Sequence, residues 1–170
     1  IPYENDKTPS PQDLISIIEA ELIDAEERIV LEPGRSISGN AGILLTKVEY
    51  IKDNFLIADA AMNDLLRPAL YKAKHDVWNL TEGEAIDQIW TIVGPVCESA
   101  DVIAKDHPIN ADVGDILAIK TAGAYGFVMS SNYNSRVRPA EVLVDGETFN
   151  IIRSRESFDD LIKNEISLND

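Results

Sequence analysis

Four short stretches of this sequence carry residue types that a hydrophobic core has little use for: Glu32-Pro33-Gly34-Arg35, Arg67-Pro68-Ala69-Leu70-Tyr71, Cys97-Glu98-Ser99-Ala100-Asp101 and Gly123-Ala124-Tyr125-Gly126. An arginine can grip a phosphate or carboxylate through two parallel hydrogen bonds. A thiol is a competent proton donor, and glycines on either side of a tyrosine allow backbone and ligand to approach closely. Taken singly, each stretch has a plain reading. Glu32 and Arg35 could form a surface ion pair, Tyr71 a rim aromatic, Cys97 a small buried apolar residue, and Gly123 and Gly126 ordinary turn glycines. The combination is the informative signal.

Other chemistries lack their patterns. His75, His107 and Cys97 are the only histidines and the only thiol, and their spacing matches no zinc motif. The histidines read more simply as surface or hydrogen-bonded side chains. Ser36 and Ser38 stand in no Gly-x-Ser-x-Gly elbow, and no Gly-x-x-x-x-Gly-Lys phosphate loop is present.

The chain has 170 residues, 45% of them hydrophobic, which suffices for one domain with its own core. A formal charge of -15 repels nucleic acid and anionic membranes overall. Apolar runs such as residues 41–45 fall well short of the roughly 20 residues that span a bilayer. A single cysteine cannot form an internal disulfide, so a reducing compartment, the cytoplasm, is expected. Ile1-Pro2-Tyr3 offers no initiator methionine and no signal-peptide zones, which suggests a cut piece of a longer chain.

The elements that must position these residues can be read in outline. Ser10-Pro11-Gln12-Asp13 has the form of a helix cap, and Leu14, Ile15, Ile18 and Leu22 follow at helical spacing, predicting a helix over residues 11–24. Ile29, Val30 and Leu31 predict a buried strand that stops at Pro33-Gly34. Residues 43–52 and 55–61 flank Asp53-Asn54 as a hairpin. Further strand-like segments lie at 86–93, 102–105, 116–121, 127–130 and 141–153, the last broken by Asp145-Gly146. Residues 157–165 read as a short closing helix, and 79–84 and 136–139 as surface connections. The fold expected is mainly β, an antiparallel barrel or sandwich, preceded by one αβ step like those of a parallel αβ barrel. The boundary falls between residues 1–36 and 37–170.

The segments Leu31-Glu32-Pro33-Gly34-Arg35-Ser36, Asp59-Ala60-Ala61-Met62-Asn63-Asp64-Leu65-Leu66-Arg67-Pro68-Ala69-Leu70-Tyr71, Val93-Gly94-Pro95-Val96-Cys97-Glu98-Ser99-Ala100-Asp101 and Thr121-Ala122-Gly123-Ala124-Tyr125-Gly126 occur in the order found in diaminopimelate decarboxylases. The sequence resembles that family of pyridoxal-phosphate-dependent enzymes, in its C-terminal portion, from residue 1 through at least Gly146. The resemblance implies that most of an αβ barrel, a glycine-rich phosphate loop and the lysine that carries the cofactor lie upstream. None of the lysines in this chain stands in a segment like that lysine's. The fragment alone is expected to be inactive.

The resemblance also implies roles. Glu32 matches the carboxylate that keeps the cofactor's ring nitrogen protonated, which strengthens its electron-withdrawing power. Gly34 matches a cofactor-binding glycine, and Arg35 the arginine that touches the cofactor phosphate, the substrate carboxylate, or both. Tyr125 matches a hydroxyl near cofactor and substrate, and Cys97 the acid that returns a proton after carbon dioxide leaves. In the family the cysteine loop enters the partner subunit's site, so a head-to-tail homodimer with shared active sites is implied. Diaminopimelate ends in a carboxylate and an ammonium, whereas ornithine's end calls only for acids. Arg67 and Tyr71 match the carboxylate-binding pair and Glu98 the ammonium-binding acid. Together they favour diaminopimelate over ornithine, arginine or carboxynorspermidine. A further reading is a non-catalytic β-domain fragment that only self-associates.

Overall fold

The computed structural model describes residues 8–23, 26, 28–81 and 88–168. Helix α1 spans Pro11–Glu21 and starts as its sequence dictates: the Asp13 amide donates to Ser10 Oγ (3.1 Å) and the Ser10 amide to Asp13 Oδ2 (2.8 Å). It buries no residue. The strand expected at residues 29–31 is not formed; Ile29, Val30 and Leu31 are 47%, 70% and 46% exposed. A strand exists only where neighbours accept its backbone hydrogen bonds, and among the described residues no strand pairs with 29–31.

Among the described residues, six strands build the main sheet: β1 Leu44–Lys52, β2 Phe55–Ala58, β3 Val77–Asn79, β4 Gln88–Val93, β5 Val102–Ile109 and β6 Ile116–Ile119, in the order β3-β6-β1-β2-β4-β5. The β1–β2 hairpin forms as read, pairing Lys52 with Phe55 around Asp53, whose φ of 54° is the left-handed conformation that Asp tolerates in tight turns. The second strand stops at Ala58 rather than 61, and β5 runs four residues beyond the expected 105. Residues 86 and 87, expected to open β4, lie outside the described residues. Strand β3 falls at residues read partly as a connection.

One pair departs from the antiparallel expectation: β2 and β4 run parallel. Parallel neighbours need a long crossover. Here it occupies residues 59–87 and carries helix α3, Arg67–Tyr71, together with β3. The sheet curls until its two edge strands approach. His107 Nε2 lies 3.0 Å from the Val77 carbonyl, and Asn79 Nδ2 donates to the Asn110 carbonyl (2.8 Å) across that seam. The result is a nearly closed barrel.

Its interior is filled by Val48, Leu56, Trp90, Ile92, Ile103, Ile109, Leu117 and Ile119, all at most 6% exposed. Each such side chain contributes about 1.5–3 kcal/mol when removed from water. In β1 the alternation is visible in the sequence: Thr46 and Val48 point inward, Lys47 and Glu49 outward.

Two further departures lie near the end of the chain. Residues 127–130 form a 3-10 turn, Phe127–Met129, instead of a strand. Residues 136–139 are half-buried rather than a free surface connection. A separate hairpin, β7 Glu141–Asp145 and β8 Thr148–Arg153, turns at Gly146 (φ 58°) and leaves Val144, Phe149 and Ile151 exposed. Helix α4, Phe158–Ile162, closes the chain with a Ser157–Asp160 capping box.

Candidate active site

Helix α2, Gly34–Ser38, follows Glu32-Pro33, and the Gly34 amide donates to the Glu32 carbonyl (2.8 Å). Its C-terminal end is stitched to the loop after β6. The Ala122 amide donates to the Gly42 carbonyl (2.9 Å) and the Gly123 amide to the Gly39 carbonyl (3.1 Å). At that crossing only glycine fits. A Cβ on Gly123 would collide with the Ser38 carbonyl oxygen, and one on Gly42 would come within 2.6 Å of Gly123 Cα.

The loop then places Tyr125 at φ 61°, a conformation that costs free energy for any residue with a Cβ and that recurs at ligand sites. This brings the Tyr125 hydroxyl against Gly34, 2.7 Å from where a Cβ would stand. Arg67 joins from the crossover. Pro68 suits the first turn of α3, and Lys72, left-handed at φ 54°, ends the helix after Tyr71. Arg67 and Tyr71 therefore share one helix face, with the guanidinium carbon 4.4 Å from the Tyr71 ring centre and 5.1 Å from that of Tyr125.

His75 lies beneath this corner, 3% exposed, with Nδ1 2.7 Å from the Lys120 carbonyl. Burial holds its pKa below the usual histidine value, and the positive charges of Arg35 and Arg67 add to that effect against the carbonyl bond. The imidazole is neutral at pH 7 and adds no third positive charge. Sequence reading gave His75 no role; the only hint was its place shortly after the Arg67–Tyr71 segment.

Cys97 and Glu98 occupy a second corner, the loop between β4 and β5. Buried Asp101 organises it by accepting the Val96 amide (2.8 Å) and, from the crossover, the Met62 amide (2.7 Å). Gly94 packs so closely that a Cβ would meet the Asp101 carboxylate and stand 2.6 Å from Ala61 Cα. Burial raises the Asp101 pKa, opposed by those two amides and by Arg136. Cys97 is exposed at the loop tip, not buried as the plain reading would have it. Glu98 Oε1 accepts from Ser99 Oγ (3.2 Å), and Oε2 from the Tyr133 hydroxyl (3.4 Å).

The structure thus assembles Gly34, Arg67, Tyr71 and Tyr125 in one corner, with Arg35 close enough to act on His75, and holds Cys97 and Glu98 in another. Glu32 is exposed just ahead of α2. The Arg67 guanidinium, two phenols and the approach at Gly34 form a donor-rich corner suited to phosphate or carboxylate, with the Arg35 guanidinium nitrogens buried near His75. Among the described residues, no group of three or more His, Cys, Asp or Glu side chains is arranged to hold a metal ion, and no helix is long and apolar enough to cross a membrane.

A curled, mainly β sheet domain with a corner rich in hydrogen-bond donors is the class of protein that fold and site define. The chain belongs to the family described as pyridoxal-dependent decarboxylase, C-terminal sheet domain, which matches residues 11–123. It is 49% identical over 167 residues to a diaminopimelate decarboxylase of Pseudomonas aeruginosa, covering 96% of this chain and 40% of that protein. A crystal structure from Aquifex aeolicus superposes with a TM-score of 0.93 at 45% identity, covering 99% of this chain and 43% of that one. The diaminopimelate decarboxylase of Helicobacter pylori, crystallised with L-lysine, gives 0.90 at 42% identity, with 96% and 41% covered. The chain spans about two fifths of the length of the curated relatives it matches.

Proposed function

We propose that this chain is the C-terminal portion of a longer pyridoxal-phosphate-dependent carboxy-lyase that converts meso-2,6-diaminopimelate to L-lysine and carbon dioxide. The observation that carries this reading is Arg67 stacked against Tyr71 and Tyr125 while the Tyr125 hydroxyl closes on Gly34. A carboxylate-binding pair stands beside the glycine-arginine turn.

When bound, pyridoxal phosphate supplies an electron sink that lets the substrate's α-carboxylate leave. Glu32 would hold the cofactor's ring nitrogen in its protonated form, Gly34 and Arg35 would hold the cofactor, Arg35 would contact its phosphate, a substrate carboxylate or both, and the Tyr125 hydroxyl would orient the reacting end. Arg67 and Tyr71 hold the distal carboxylate and Glu98 the distal ammonium. Cys97 returns a proton to the α-carbon.

In this reading Cys97 and Glu98 serve the site of a partner subunit in a homodimer. Residues 1–36 end an upstream αβ barrel that supplies the cofactor-bearing lysine, and residues 37–170 form the β domain. The exposed apolar side chains of α1, residues 29–31 and β7–β8 support such a parent, because isolated domains seldom leave so much apolar surface uncovered. The lone cysteine suits a cytoplasmic enzyme.

Arg67→Ala in the full-length holoenzyme tests the substrate assignment: diaminopimelate turnover should be lost, and unchanged turnover contradicts it. The exposed apolar surface also favours a second reading for the isolated chain, a β-domain fragment that associates without chemistry. Adding pyridoxal phosphate to this chain alone should give no protein-bound visible absorption band, and such a band overturns the fragment reading.

A further inference from the structure

Residues 131–136 belong to none of the four polar motifs, yet they lean on both halves of the second corner. Asn63, 2% exposed, clamps both ends of this loop: the Ser131 amide donates to the Asn63 carbonyl (2.9 Å), Asn63 Nδ2 to the Ser131 carbonyl (3.5 Å), and Arg136 Nε to Asn63 Oδ1 (2.8 Å). Arg136 Nη2 also donates to the Asp59 carbonyl (2.6 Å). Between the clamps the chain turns through two consecutive left-handed non-glycine residues, Asn134 (φ 61°) and Ser135 (φ 54°). Such strain persists only where the surroundings over-determine it.

The turn delivers a single side chain to the motif loop. Tyr133 is 47% exposed, so it is not there to fill a core, and its hydroxyl donates to Glu98 Oε2 (3.4 Å). The other carboxylate oxygen is held by Ser99 Oγ and the Ala100 amide (3.5 Å). A glutamate on an exposed loop otherwise samples several rotamers and must be ordered when a cation binds. A phenol hydrogen bond restricts it without removing its negative charge.

We propose that Tyr133 is a positioning residue that aims the Glu98 carboxylate at the substrate's distal ammonium and so helps set specificity. This rests on the diaminopimelate reading above. The step it governs is binding, so its removal acts on substrate affinity more than on turnover of bound substrate.

The test is Tyr133→Phe in the full-length holoenzyme, with thermal unfolding run alongside to show that the ring still packs. KM for meso-diaminopimelate should rise about threefold to tenfold, the loss of one hydrogen bond to a charged group, with kcat within about twofold. The inhibition constant of 2-aminopimelate, which has the distal carboxylate but no distal ammonium, should not move. In a Glu98→Gln background the same substitution should add nothing further. Unchanged KM overturns the proposal, as does an equal rise in KM and in the inhibition constant, or full additivity with Glu98→Gln. A wild-type holoenzyme that does not decarboxylate diaminopimelate overturns both readings; an active one indifferent to Tyr133→Phe overturns this one alone.

Discussion

Replacing Gly34 with alanine would separate the site from the scaffold. Gly34 opens α2, where alanine is the better helix former by up to about 1 kcal/mol, so the backbone itself loses nothing. The added Cβ would stand 2.7 Å from the Tyr125 hydroxyl oxygen and 3.8 Å from its Cζ. Ordinary contact lies near ~3.5 Å, so the hydroxyl must retreat by roughly 0.8 Å. Tyr125 is 37% exposed and can swing away, but doing so draws its ring off Arg67, now 5.1 Å from the ring centre. Giving up that stacking costs about 0.5–1 kcal/mol, which the helix gain offsets. Stability should therefore change by less than about 1 kcal/mol. A displacement near ~1 Å at a reacting centre, in contrast, costs on the order of a hundredfold in rate, about 2.7 kcal/mol of barrier. Measured in the full-length holoenzyme, kcat/KM for diaminopimelate should fall between about tenfold and a hundredfold while the urea midpoint barely moves. Wild-type kcat/KM, or a stability loss of several kcal/mol, would refute the reasoning.

At Gly123 the opposite outcome is expected, since an added Cβ meets the Ser38 carbonyl, Gly42 N at 2.7 Å and Gly39 O at 3.2 Å, all backbone; Gly123→Ala should cost about 2–3 kcal/mol in urea unfolding. Asp101→Asn can accept only one of the Met62 and Val96 amides while turning a donor toward the other. A loss of about 1–3 kcal/mol should appear in the same measurement, and none would show that the two bonds do not anchor the loop. The lowered His75 pKa means that the unfolded chain takes up its proton first as pH falls. Its contribution is complete above the unfolded value near ~6.5 and is lost as pH drops toward the folded one, so thermal midpoints should decline below about pH 6.5, less steeply in His75→Gln. An equal slope in that variant would assign the decline to other groups.

Local signals were legible where their physics is local. The helix capped at Ser10, the short helix after Ser157 and the Asp53-Asn54 hairpin depend on residues a few positions apart, and each forms, though both helices and the second strand stop earlier than expected. Readings that needed a distant partner fared worse. Residues 29–31 have strand composition but, among the described residues, no neighbouring strand, and the three-residue β3 is a strand only because β6 pairs with it from forty residues away. The parallel β2–β4 pair cannot be told from an antiparallel one by composition, since both bury the same apolar face.

By itself the sequence determined which groups are available: two arginines and two tyrosines in turn-like motifs, one thiol, and glycines where a Cβ has no space. Tertiary structure decided which of them meet. The crossover to a parallel strand carries Arg67 to Tyr125, a buried asparagine swings Tyr133 onto Glu98, and the loop after β6 brings the Tyr125 hydroxyl onto Gly34. Residue type is written one position at a time, whereas convergence depends on register and chain path, which are set by the pairing of strands far apart in the chain.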